Sequence, residues 1–260
     1  MRSLARQTLK GKWTEAVMIS LLAAIITSVP GMIVSLLPNG GGVLSYIVTL
    51  YGVVINGPIT LSLSYYFLKV FRMEKTSVQD IKYGLNFIMK AMHLYCRMFI
   101  FIWLWSLLFI IPGFIASIRY SQAFYLMADN EGKTAPQCMN ESIFIMRGNM
   151  LKYFLLMLSF AGWFILAYIP AGIYLYREVY PVIAEQVRTA LESGADVSQL
   201  MGITYNPGPL FSLLSLPSIV VSVYLSTTEA CFFDILSGGL LIQPEEAEEE
   251  AVSETEDNNG

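Results

Sequence analysis

Residues 16–68 carry no Asp, Glu, Lys, Arg or His, a run of 53 positions without a charge. Three further stretches, 98–118, 153–176 and 197–228, share that property. Spanning the hydrocarbon core takes roughly 20 apolar residues at about 1.5 Å each. The pattern therefore predicts an all-α, polytopic transmembrane helical bundle.

The first span is read over 16–37, ended by Pro38-Asn39-Gly40-Gly41-Gly42, because Pro and Gly clusters punctuate helices. A basic start followed by an apolar run also suits a signal peptide. Here the run is too long and no A-x-A site follows, so a retained helix is expected. The second span covers 46–68 and contains Asn56-Gly57-Pro58, where the missing amide donor predicts a break or kink at Gly57 and Pro58.

Residues 98–128 allow two readings around Ile111-Pro112-Gly113. One is a single kinked span. The other is a tight hairpin, 94–111 outward and 113–128 back, turning at Pro112 and Gly113. The distribution of Lys and Arg favours the hairpin, since these residues accumulate on the cytoplasmic side. With the hairpin and a cytoplasmic N-terminus, 13 of the 16 basic residues lie inside, against 12 without it. About six membrane segments follow, with a re-entrant form of the hairpin allowed because its second arm is short. The last two spans are 153–174, with Pro170 as a further helix break, and 210–234. The polar stretch 177–209 between them is read as an extracytoplasmic insertion, helical through about 183–191.

Two inner-face segments carry helix-start signals. Ser77-Val78-Gln79-Asp80 has capping-box spacing. Val78, Ile81, Leu85, Ile88 and Met92 then recur on one helical face. Thr134 with Pro136 opens a second such helix, with Met139, Ile143, Met146 and Met150 on its apolar face. At the N-terminus Arg2, Arg6 and Lys10 form a basic stripe, with Trp13 beside it, as in a helix lying at an anionic membrane interface.

Composition agrees with this picture: 55% of residues are hydrophobic and 14% charged, against about 25% charged in soluble domains. The net charge of −4 comes from eight acidic residues between Glu245 and Asp257; the rest of the chain is mildly basic. Residues 1–236 are thus expected to form one transmembrane domain, and 237–260 an acidic tail with nothing to build a core.

Candidate chemistry is sparse. Cys96, Cys138 and Cys231 are widely spaced and suggest neither a disulfide framework nor a metal site. His93, the sole histidine, is expected to be an interfacial polar residue. No nucleophile, metalloprotease or phosphate-loop motif occurs, so no enzyme activity and no cofactor are expected. No basic domain supports nucleic-acid binding. Charges within a bilayer are costly and are usually paired or functional. Arg119 and Glu229 are the two candidates, and a pair between them is the one site expectation. Asp129-Asn130 is expected to cap the turn that follows.

Several strings, taken in order, resemble one family: Leu9-Lys10-Gly11-Lys12-Trp13, Gly57-Pro58, Ile111-Pro112-Gly113, Tyr120-Ser121-Gln122-Ala123-Phe124-Tyr125, Ala128-Asp129-Asn130 and Ser159-Phe160-Ala161-Gly162-Trp163. They resemble the bacterial integral-membrane family called domain of unknown function 975, and more distantly the membrane domain fused to some glycerophosphodiester phosphodiesterases. The resemblance covers about residues 1–173 and resumes over 216–236. It implies a membrane protein of the kind found in Gram-positive bacteria, and no activity. The chain departs from the family pattern at the insertion of roughly 35 residues before the last span, and at Glu131, where Pro is usual. The reading is a multi-pass cell-membrane protein of unknown molecular function, non-catalytic, acting on lipid, envelope state or a membrane partner. The alternative is a small-solute transporter or permease component, suggested by the broken helices.

Overall fold

The structure, a computed structural model, describes residues 2–35, 37, 42–193 and 208–238. Among the described residues every regular element is helical. The order is α1 (Arg2–Thr8), α2 (Trp13–Ser35), α3 (Val43–Phe71), a 3-10 turn (Val78–Lys82), α4 (Tyr83–Asn86), α5 (Ile88–Leu108) and α6 (Ile110–Tyr120). Then follow α7 (Ala123–Asp129), α8 (Ala135–Met146), α9 (Met150–Tyr174), a π turn (Leu175–Val179), α10 (Tyr180–Glu192), α11 (Gly208–Leu214) and α12 (Pro217–Ser237).

Five helical stretches are long and apolar enough to cross a membrane: Trp13–Val34, Val43–Phe71, Ile88–Leu108, Met150–Glu192 and Pro217–Ser237. The sixth expected segment, 113–128, is not one helix. It is divided between α6 and α7 at Ser121-Gln122. Ser142 of α8 serves that break: its hydroxyl donates to the Arg119 carbonyl at 2.7 Å and accepts from the Gln122 amide at 3.2 Å. Two backbone groups displaced from the helical ladder are thereby satisfied by one side chain.

The expected helix breaks fall elsewhere. α3 runs through Gly57 and Pro58 without interruption. Gly57 instead permits a close approach, since a methyl carbon there lies 2.6 Å from the Ala91 carbonyl oxygen of α5. The turn between α5 and α6 is at Phe109, which is extended (φ −160°, ψ 150°), not at Pro112 and Gly113. Pro112 lies in the first turn of α6, where an amide donor has no intrahelical partner to lose. Gly113 faces Ser106 of α5, and a methyl there lies 2.8 Å from the Ser106 Cα. α9 likewise continues past Pro170 to Tyr174, and the irregular π turn comes after it.

α6 packs back along α5, and the two ends of the α5–α7 segment meet. Lys90, near the start of α5, donates from Nζ to the carbonyl of Glu131, just after α7, at 2.8 Å. The chain therefore leaves and returns on one side of the bundle.

The capping box at Ser77 forms: Ser77 Oγ accepts from the Gln79 amide at 3.2 Å and Asp80 Oδ2 from the Ser77 amide at 3.0 Å. It opens a 3-10 turn and short α4 rather than one long amphipathic helix, because the segment is pinned to α3. Ser62 Oγ donates to the Ile81 carbonyl at 2.6 Å and accepts from the Gly84 amide at 2.9 Å. Thr134 and Pro136 start α8 as expected, with Gln137 Oε1 accepting from the Thr134 amide at 2.8 Å. Met139 and Met146 are buried on α8, together with Cys138 and Ser142.

Packing is uneven along the helices. The second half of α3, all of α7 up to Ala128 and residues 227–234 of α12 form the buried core. Elsewhere large apolar side chains face outward: Ile25 and Ile33 on α2, Leu50 on α3, Trp103 and Leu107 on α5, Ile165 and Ile173 on α9. Helices that are apolar all round suit a hydrocarbon solvent. No residue of α10 is buried, and α9, the π turn and α10 form one 43-residue helical stretch, about 65 Å long, apolar through α9 and charged from Arg177 onward.

Candidate functional site

Polar chemistry gathers around the converging ends of α3, α7 and α12. Arg72, the residue after α3, donates from Nη1 to Asp129 Oδ1 at 2.6 Å and from Nε to Asp234 Oδ1 at 2.9 Å. Asp129 ends α7 and Asp234 lies in the last turn of α12. All three helix ends are C-terminal, where a cation is favourable. Burial disfavours the Arg72 charge, but the two carboxylates outweigh it and hold the guanidinium above its ordinary pKa. Asp234 is 1% exposed, and its Oδ2 is buried without a partner.

Further polar links lie nearby. Lys12 Nζ donates to the Glu74 carbonyl at 2.7 Å, Thr76 Oγ1 to Glu15 Oε2 at 3.1 Å, and Lys133 Nζ pairs with Glu141 at 2.6 Å. Tyr83 stacks on Tyr65 with ring centroids 3.7 Å apart. Burial first, and then the negative charge of the Glu131 carboxylate, holds the Tyr83 phenol above its usual range.

The expected Arg119–Glu229 pair is not formed. Glu229 Oε1 accepts from the Tyr153 hydroxyl of α9 at 2.6 Å, and no ion pair among the described residues joins it to Arg119. Packing gives the reason. α6, carrying Arg119, packs on α5, α8 and α9, whereas α12, carrying Glu229, packs on α1, α2, α3 and α9. α9 meets both helices, and its Tyr153 takes the place expected for the guanidinium. Around Glu229, Tyr125 donates to the Ser226 carbonyl at 3.1 Å and Gln122 Nε2 to Ser121 Oγ at 2.9 Å. Gln122 is fully buried and its Oε1 has no partner.

Arg72 and Asp234 were not singled out by the sequence. Both sit at the margin of an apolar run, where a charge resembles an ordinary flanking residue. Asp129 does bear a charge partner, while its neighbour Asn130 caps the turn through Oδ1 to the Gly132 amide at 2.9 Å. The N-terminal stripe is also divided. Ala5 and Leu9 are fully buried, and Arg2 reaches the Ser159 carbonyl and hydroxyl on α9, while Arg6 and Lys10 stay exposed. α1 is thus seated in the bundle on α12 and α3, not merely laid beside it.

Among the described residues no group of three His, Cys, Asp or Glu is placed to hold a metal ion. His93 is exposed, and the three cysteines are free. The arrangement is one of internal ties: charges and hydroxyls join helix ends to one another.

The family described as protein of unknown function (DUF975) matches residues 1–116 and 107–238. No curated protein and no solved structure matches the chain, and a likeness to the glycerophosphodiester phosphodiesterase membrane domain is not shown. With the two matches together spanning nearly all of its length, the chain belongs to the DUF975 family.

Proposed function

We propose that this chain is a multi-pass integral protein of the cell membrane, non-catalytic, acting on lipid, envelope state or a membrane partner. The observation that carries this reading is the outward-facing apolar surface of the five long helices, with polar side chains tied to one another at the helix ends. Water would not tolerate a contiguous apolar surface of this size on a lone soluble domain.

In this reading the side bearing α1, Arg72 and α8 is cytoplasmic. The return of the α5–α7 hairpin to its starting side supports that topology, because it keeps Lys133, Arg147 and Lys152 with the other inner cations. α10 is then extracytoplasmic, and both termini are cytoplasmic. A transporter is the second reading. It draws on the Glu229–Tyr153–Gln122 region, where a buried carbonyl lacks a partner.

Alkaline carbonate extraction tests membrane insertion, with the chain expected in the pellet. Release into the supernatant overturns the proposal. Impermeant maleimide on intact cells, with a cysteine placed at Ser193, tests orientation. Labelling from outside is expected, and protection of that site reverses the topology.

A further inference from the structure

Arg2, Arg6 and Lys10 recur every four residues along α1 and the turn after it, so neighbours lie about 6 Å apart. Among the described residues none of the three has a carboxylate within ion-pair distance. Arg2 is the unusual member. Its Nη2 donates to two oxygens of Ser159, its Cζ lies 4.7 Å from the Phe160 ring centroid, and its Nε is buried without an acceptor. The guanidinium is therefore partly withdrawn from water and met only by neutral groups. A charge in that state favours an anion strongly.

The surroundings point to which anion. Trp13 and Tyr224 meet beside Arg2 with centroids 6.5 Å apart, and the Tyr224 hydroxyl donates to the Arg2 carbonyl at 3.0 Å. Trp and Tyr with one wet end and one apolar end mark headgroup depth in a bilayer. Ser159, Arg6 and Lys10 are exposed, so the cations open outward from the bundle. The nearest acidic residue of the following helix, Glu15, is engaged with Thr76.

We infer that Arg2, Arg6, Lys10 and Ser159 form a site for the phosphate of an anionic phospholipid, on the side of the bundle that holds α1. The guanidinium fork matches phosphate geometry, and the two exposed cations add an attraction of about fivefold each to an anionic surface. The inference rests on the membrane reading above, which carbonate extraction tests separately.

The experiment uses the full chain in nanodiscs of phosphatidylcholine, alone or mixed with an equal part of phosphatidylglycerol. Retained lipid is read by native mass spectrometry after gentle detergent release. Preferential retention of phosphatidylglycerol is expected, with Arg6→Gln lowering it about fivefold and Arg2→Gln lowering it further. Arg2→Lys should keep more than Arg2→Gln. Arg6 is exposed, so its variant tests the site without disturbing packing. Equal retention of the two lipids by the natural chain, or unchanged retention in Arg6→Gln, overturns the inference. Inorganic phosphate titrated onto the detergent-solubilised chain separates the sources: displacement of the lipid by phosphate alone makes this a free-anion site and overturns the lipid assignment.

Discussion

Arg72 and Asp234 lie 162 positions apart in the chain and meet at 2.9 Å, Nε to Oδ1. With Asp129 as the second carboxylate, this contact ties the ends of α3, α7 and α12. Asp234 is almost fully buried, so removing Arg72 strands a carboxylate. Arg72→Met should destabilise the folded chain by about 3–5 kcal/mol, while Arg72→Met with Asp234→Leu should recover part of that loss. Thermal unfolding in detergent measures both. A double variant no better than the sum of the singles would show that the contact carries no coupling.

The Glu229 site should respond to Tyr153 and not to Arg119. Tyr153→Phe removes the donor and should cost about 1–3 kcal/mol, the range for an orphaned buried polar group. Glu229→Gln keeps an acceptor and should cost less. The losses of Arg119→Ala and Glu229→Ala should add to within about 0.5 kcal/mol, as for independent sites. A larger coupling in a double-mutant cycle would contradict the geometry.

Glycine substitutions should divide sharply by position. A methyl at Gly84 lies 1.9 Å from the Pro58 carbonyl oxygen and 2.7 Å from Ser62 Oγ, so Gly84→Ala must push the 3-10 turn and α4 off α3. A methyl at Gly162, inside α9, meets nothing within 4 Å. Gly84→Ala should lower the yield of folded chain, whereas Gly162→Ala should be neutral or stabilising by up to about 1 kcal/mol. Monodispersity on size exclusion and thermal unfolding distinguish the two outcomes.

Cys138 is fully buried on α8, and burial pushes its thiol up to about 11. The thiolate is the reactive form, so a raised pKa and lack of access act together. Maleimide at pH 8 should leave Cys138 unmodified in the folded chain and label it after denaturation. Raising the pH towards 11 should speed its reaction only as the thiolate becomes populated. Rapid labelling of the native chain at pH 8 would refute this placement.

Deleting residues 244–260 should leave the folded chain in the membrane fraction. The buried part of α12 ends at Asp234 and the family match ends at residue 238. Loss of the truncated chain from membranes would assign the acidic segment a structural role.

The long apolar runs made the helices legible, because length and uninterrupted hydropathy are local properties. The starts at Ser77 and Thr134 were legible for the same reason, since a cap is written within four residues. The breaks were harder. Pro58 and Pro112 announce interruption, yet α3 accommodates the first, and α6 begins two residues before the second so that the ring costs no hydrogen bond. The break that does occur, at Ser121-Gln122, depends on Ser142 arriving from another helix. The charge partners were least legible. Depth alone suggested Arg119 with Glu229, but pairing depends on which helices touch, and only the assembled bundle sets Tyr153 at Glu229 and Arg72 at Asp234.

The seat of α1 has a consequence for how the chain is made. The Tyr224 hydroxyl holds the Arg2 carbonyl across 222 positions. During synthesis the first helix therefore emerges long before the last, which supplies its resting place. Until translation reaches α12, α1 can meet only α3 and Ser159 of α9 and lacks the helix that holds the Arg2 carbonyl. The last helix to be made thus completes the seat of the first.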